Sequence, residues 1–117
     1  MSTSKKNRLL TYSQAILEGT QQEMTQDERV FVMGQGLWSP WYVGNTMTDL
    51  DKKFGVHRII DTPVSELACT GAGGGAAVAG MKPIIVHPRV DFMLYATDAL
   101  VNQAAKWSHM FGGQVSA

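Results

Sequence analysis

Side chains suited to acid–base or hydrogen-bonding chemistry follow three segments that are predicted to be short strands. The stretches after these strands cover residues 34–41, 61–66 and 87–92. Parallel sheets bind ligands beyond the carboxyl ends of their strands, so these stretches are the places to look for a site. Glu66 supplies a carboxyl group there, although an acid favoured by a helix N-terminus is the simpler interpretation of this residue alone. His87 fits a substrate-binding or proton-transfer residue, or equally an ordinary turn histidine.

The elements that must position these side chains alternate between helices and strands. Apolar runs bounded by Gly, Pro and Asp predict strands, and apolar residues at helical spacing predict helices. The predicted strands are Val30–Met33, Arg58–Asp61 and Pro83–Val86, and the predicted helices are 13–24, Met47–Phe54, Leu67–Gly80 and Asp91–Phe111. No tight hairpin joins two strands, so right-handed crossovers and a parallel sheet are expected, in a fold of the α/β class.

Composition limits the kinds of partner. The 117 residues suit one small domain, and 10 Lys and Arg balance 10 Asp and Glu, so we expect neither nucleic acid nor an acidic membrane as a partner. No apolar run approaches the roughly 20 residues that span a bilayer, and the start of the chain does not look like a signal peptide. The single cysteine, Cys69, fits a reducing cytoplasm. The three histidines lack the spacing of a metal site.

A glycine run at residues 71–76 formally matches the fingerprint of dinucleotide-binding proteins, with Asp91 about 20 residues further on. That fingerprint must follow a strand directly, whereas here residues 66–70 intervene. The run is better interpreted as a helix face of small residues that packs closely against the sheet.

Several motifs along the chain carry a family resemblance. They are Leu10-Thr-Tyr-Ser-Gln-Ala15, Asp61-Thr-Pro-Val-Ser-Glu66, Ala76-Ala-Val-Ala-Gly80, Lys82-Pro83, Asp91-Phe92 and Asn102-Gln-Ala-Ala-Lys106 through Gln114. Taken together, they resemble the beta subunits of thiamine-diphosphate-dependent 2-oxo acid dehydrogenases such as pyruvate dehydrogenase. The sequence of residues 87–92 and 106–111 is more similar to transketolase-like proteins of bacterial sugar clusters than to pyruvate dehydrogenase itself. The resemblance implies a three-layer parallel-sheet pyrimidine-binding domain over residues 10–114, between tails at 1–9 and 115–117.

The resemblance also implies a role for individual residues. Glu66 occupies the position of a glutamate that contacts the aminopyrimidine ring of thiamine diphosphate; its carboxyl group would favour the imino tautomer, which can take up the thiazolium proton. Phe92 matches the aromatic side chain that stacks on that ring, although a core aromatic is equally compatible with its spacing. Val64 and Ser65 would approach the ring through backbone groups. Gln35 lies where pyruvate-type members carry an acid, so a second carboxylate contact is not expected.

The other histidines and the tryptophans are less informative. His57 precedes a predicted strand and His109 lies late in a predicted helix, and we expect both to be structural. Trp38 and Trp41 would line the site or pack against a partner chain.

The length of the chain limits what the resemblance implies. Family members are far longer, and the magnesium and diphosphate site with its Gly-Asp-Gly motif belongs to the alpha subunit or another domain. We therefore expect a truncated domain that supplies half of a shared thiamine diphosphate site and is inactive alone. A parallel sheet that ends after a crossover helix exposes an edge, which predicts either self-association or a partner that covers this surface. The alternative is a catalytically inactive remnant that serves as a binding or oligomerisation module.

Overall fold

The structure, a computed structural model, describes residues 8–117; most of the predicted tail at 1–9 lies outside this range. The helices and strands are α1 (Tyr12–Gln26), β1 (Val30–Gly34), α2 (Leu50–Phe54), β2 (Ile59–Asp61), α3 (Glu66–Val78), β3 (Lys82–Val86), α4 (Val90–Met93), a 3-10 turn (Leu94–Ala96), a π-helix (Asp98–Ala104) and α5 (Ala105–Met110). The predicted order of helices and strands is confirmed, with boundaries shifted by a few residues.

The three strands form one parallel sheet in the order β2-β1-β3. Val32 of β1 pairs with Ile59 of β2 on one side and with Ile84 of β3 on the other. Each of the two connections between successive strands contains a helix, α2 between β1 and β2 and α3 between β2 and β3, as parallel pairing requires. All three strands therefore end at the same edge of the sheet, which confirms the predicted parallel arrangement.

One face of the sheet carries the main hydrophobic core. Val30, Val32 and Ile59 point to this face and pack with Met24 of α1 and Leu50 of α2. Alternate residues of a strand point to opposite faces, so a strand that is buried throughout must be covered on both sides. All five residues of β1 are buried, and the sheet is indeed the middle of three layers.

The opposite face is covered by α3, whose small residues allow a close approach. A Cβ added at Gly73 would lie 2.9 Å from Ile85 Cγ1 of β3 and closer still to Ile85 Cδ1, so a larger residue would displace either the Ile85 side chain or α3 itself. The glycine run lies inside a helix that begins at Glu66, not at a turn between a strand and a helix. The interpretation as a closely packed helix face is confirmed.

Two helical segments differ from the predictions. The helix expected from Met47 begins only at Leu50, because Asn45 and Asp49 have left-handed backbone conformations, with φ of 62° and 58°. Met47 is instead buried in the core as part of the preceding loop.

The single helix expected over Asp91–Phe111 is divided into four helical pieces, which include the π-helix. The Asp98 carboxylate accepts hydrogen bonds of 2.9 Å from both Asn102 and Gln103, four and five residues later. A partner five residues away matches the wider turn of a π-helix. Apolar spacing did not distinguish this geometry from a regular helix.

Candidate functional site

A narrow cleft lies at the carboxyl ends of the strands, where the sequence predicted a site. Gln35 follows β1, Ser65 and Glu66 follow β2, and His87 follows β3, and all four residues line this cleft. Parallel pairing brings the three strand ends together, so residues far apart in the sequence meet in one place. The cleft has a volume of about 10 Å³.

Glu66 is the first residue of α3 and is half-buried. The hydrogen bonds found within residues 8–117 do not involve its carboxylate, and no buried side-chain oxygen in that range lacks a partner. The carboxylate therefore remains accessible at the cleft. The N-terminus of α3 also favours a negative charge at this position. The Glu66 carboxylate is thus available to accept a hydrogen bond from a group that enters the cleft.

His87 is held by a hydroxyl group from α3. His87 Nε2 and Thr70 Oγ1 share a hydrogen bond of 3.1 Å, and the Thr70 side chain is buried. Thr70 follows Glu66 by one helical turn, so both lie on the same face of α3. Thr70 was not among the predicted site residues, although its spacing from Glu66 identifies it once α3 is known to begin at Glu66.

Two further hydrogen bonds fix the conformation of the loop after β1. Gln35 is buried and donates a hydrogen bond of 2.8 Å from Nε2 to the hydroxyl of Tyr42. Tyr42 was not among the predicted site residues. The backbone N–H of Gly36 donates a bond of 2.7 Å to Asp61 at the end of β2. Gly36 has a φ of 72°, and a Cβ at this position would lie 2.7 Å from Tyr42 Cε1. Only glycine fits there, and the loop that carries Gln35 is consequently well defined.

Two of the predicted site residues do not line the cleft. Val64 is 73% exposed beside it. Phe92 lies in α4, with the guanidinium of Arg89 5.1 Å from the centre of its ring. Arg89 also pairs with Asp91 at 3.0 Å, and this hydrogen bond lowers the pKa of the Asp91 carboxyl group. One face of the Phe92 ring is therefore covered by a cation.

The remaining aromatic and histidine residues lie outside the cleft. Trp38 donates a hydrogen bond of 2.8 Å from its indole N–H to the carbonyl of Ile59, whereas Trp41 is 76% exposed. His57 and His109 are both exposed. Within residues 8–117 no three His, Cys, Asp or Glu side chains are grouped closely enough to hold a metal ion. In the same range no helix is long and apolar enough to cross a membrane.

An α/β sheet with acid–base and amide groups at its carboxyl edge defines a class of ligand-binding domain. Within this class, residues 8–115 match the family described as "Transketolase, pyrimidine binding domain". The match covers nearly the whole chain, and the chain belongs to this family.

Several curated relatives are similar over the same region. The chain is 39% identical over 106 residues to the pyruvate dehydrogenase E1 component subunit beta of Rickettsia bellii, covering 91% of this chain and 33% of that protein. It is 38% identical over 104 residues to the mitochondrial protein of that name from Bos taurus, covering 89% and 29%. The chain therefore spans about a third of the length of the relatives it matches.

Proposed function

We propose that this chain supplies the aminopyrimidine-binding half of a thiamine diphosphate site in a 2-oxo acid dehydrogenase or transketolase-like enzyme. The observation that carries the proposal is the accessible carboxylate of Glu66 in the cleft at the carboxyl ends of the strands. The resemblance to beta subunits supports this role, because Glu66 matches the position of the glutamate that contacts the cofactor in that family. The chain alone is expected to be inactive.

The cleft fits the edge of an aminopyrimidine ring better than the entire ring. Its volume of about 10 Å³ is close to that of the smallest cavity able to hold one water molecule, roughly 10 to 15 Å³. The edge of a ring that bears nitrogen atoms could approach Glu66, while the backbone of Val64 and Ser65 and the ring of Phe92 would lie beside it. The rest of the cofactor needs another surface, and an alpha-type subunit that carries the magnesium and diphosphate site would provide it.

When bound, thiamine diphosphate supplies the activated carbon atom that attacks the carbonyl group of a 2-oxo acid. Glu66 would hold a proton between its carboxyl oxygen and a ring nitrogen, which is the task of a general acid or base. Thr70 would orient the ring of His87 towards the cleft through their hydrogen bond, and His87 would act on the substrate side. Gln35 would take no part in the proton transfer between Glu66 and the ring nitrogen, and its side-chain amide is hydrogen-bonded to Tyr42.

Calorimetry with thiamine diphosphate and magnesium, with and without an alpha-type partner chain, tests this proposal. We expect little heat from the chain alone and a saturable signal when the partner is present. Glu66→Gln should weaken cofactor binding by about tenfold, since a hydrogen bond to a charged group contributes about 1.5 kcal/mol or more.

The matched control is Glu23→Gln, which removes an exposed carboxylate of α1 far from the cleft. This variant should bind the cofactor as the unmodified chain does. Equal binding by the Glu66 and Glu23 variants, or no heat even with the partner present, would contradict the proposed role.

A second candidate function is an inactive binding or oligomerisation module, in which the chain associates with copies of itself. Large apolar side chains along the last helical segments are exposed in residues 8–117, namely Leu94, Tyr95, Val101, Met110 and Phe111. Exposed apolar area on this scale is typical of interaction surfaces. Light scattering after size-exclusion chromatography would give a stable monomer at high concentration if this candidate is wrong.

We also place the protein in the cytoplasm in this proposal. The support is the free thiol of Cys69, which suits a reducing compartment.

A further inference from the structure

A second and larger depression lies at the opposite edge of the sheet from Glu66. It is lined by residues just before each strand, namely Glu28 before β1, His57 and Arg58 before β2, and Met81 before β3. Because the strands are parallel, their amino ends are a full strand length away from the cleft. This depression, called the amino-edge groove below, has a volume of about 750 Å³. Small-molecule sites are typically about 300 to 1,000 Å³.

The floor of the amino-edge groove is apolar. It is formed by strand, helix and loop residues: Phe31 of β1, Ile60 of β2, Phe54 of α2, Ala76 of α3 and Met81 just before β3. Phe31 is buried, whereas Phe54, Ile60 and Ala76 are half-buried. This combination leaves apolar area that a flat ligand could cover.

The rim of the groove has an excess of positive charge. Lys53 and Arg58 face it together with His57, against the single carboxylate of Glu28. Neither Lys53 nor Arg58 forms an ion pair with an acidic side chain in the described part of the chain. Both cations also lie near the ring of Phe54, with Lys53 Nζ 5.1 Å and Arg58 Cζ 5.4 Å from its centre.

Arg58 is fixed in position by hydrogen bonds and still has N–H donors that are not used. Its Nη2 donates to the carbonyls of Met24, Asp27 and Val30 at 2.7 to 3.0 Å, and its Nε donates to Val30 at 3.1 Å. Nη1 makes no hydrogen bond within residues 8–117, and no buried side-chain nitrogen in that range lacks a partner. Nη1 is therefore accessible. A guanidinium held rigidly by backbone carbonyls loses little conformational freedom when it binds an anion.

We propose that the amino-edge groove is a binding site for a small anionic molecule with a flat apolar body, such as an aromatic carboxylate. The body would cover the apolar floor between Phe54 and Ala76, and the anionic group would accept hydrogen bonds from Arg58 Nη1 and Lys53 Nζ. This site is separate from the proposed cofactor cleft and does not depend on a partner chain.

Chemical-shift mapping by NMR on the ¹⁵N-labelled 117-residue chain tests the proposal with 2-naphthoate as the probe. The neutral isostere 2-naphthamide tests the contribution of charge, and inorganic phosphate tests whether a bare anion is enough. We expect saturable shifts at the amides of residues 53–60, 76 and 81 with naphthoate. The amides around Glu66 should not move, and naphthamide should bind about tenfold more weakly.

Two variants within the groove and one control variant outside it test the groove itself. Lys53→Glu reverses one charge and should weaken naphthoate binding by about five- to tenfold, whereas Lys52→Glu changes a neighbouring lysine that pairs with Asp49 outside the groove and should have little effect. Ala76→Leu should fill the floor and reduce the binding of both ligands without removing a charge. Equal binding of naphthoate and naphthamide, equal effects of the two lysine variants, or shifts outside the groove would each overturn the proposal.

Discussion

The closeness of α3 to the sheet makes the glycines of this helix a quantitative test of the packing. Gly73 faces β3, where an added Cβ would lie 2.9 Å from Ile85 Cγ1 and closer to Ile85 Cδ1. Gly75 lies in the same helix with no atom within 4 Å of the corresponding position. The same substitution, Gly to Ala, therefore has different surroundings within one helix.

The expected sign of the effect differs between the two positions. In a helix interior, replacing Gly with Ala raises the free energy of unfolding by about 1 kcal/mol. Overpacking a tight contact costs about 1 to 3 kcal/mol. Gly75→Ala should thus stabilise the protein by about 1 kcal/mol, whereas Gly73→Ala should leave stability unchanged or lower it by up to about 2 kcal/mol. The helix preference cancels in the difference between the two variants, which isolates the packing cost.

Urea denaturation followed by circular dichroism measures both variants, and a double-mutant cycle identifies the atom responsible. Ile85→Val removes Cδ1 and alone costs about 0.5 to 1.5 kcal/mol. Combined with Gly73→Ala, it should relieve the clash, with a favourable coupling of about 0.5 kcal/mol or more. A Gly73→Ala variant as stable as Gly75→Ala, or a coupling of zero, would refute the close approach of α3 to Ile85.

Three further predictions concern charges and hydrogen bonds. A hydrogen bond from Arg29 holds the pKa of the Asp27 carboxyl group well below its usual range. This pair therefore stabilises the fold at neutral pH, and its contribution is lost as the pH falls below about 4. Asp27→Asn should lower the urea midpoint at pH 7, and a difference in midpoint from the unmodified protein that does not shrink in acid would contradict this. Arg58→Gln should destabilise the protein by about 2 kcal/mol in the same assay because it removes charged donors from backbone carbonyls, and an unchanged midpoint would show that those bonds are not formed in solution. Thr70→Val keeps the shape of the side chain but removes the hydroxyl group bound to His87, so the tautomer populations of His87 in long-range ¹H–¹⁵N NMR spectra should change; identical populations would mean that the bond is absent.

The sequence by itself determined the α/β class, the parallel sheet and the edge at which the candidate site lies. Short apolar runs separated by helical patterns and by breakers such as Gly34 and Gly55 are local features, and the absence of hairpins leaves parallel crossovers as the main solution. The position of Glu66 after β2 followed from the same reasoning. Its role as a cofactor ligand rested on the resemblance and stays a prediction.

Only the tertiary structure decided which side chains meet. The bonds of Thr70 with His87 and of Gln35 with Tyr42 join residues 17 and 7 positions apart, and they depend on the rotation of α3 and on the path of the loop after β1. The π-helix and the amino-edge groove were also invisible in the sequence. Periodicity identifies the face of an element that is buried, but the distance and angle at which two elements pack depend on contacts that form only when the chain is folded.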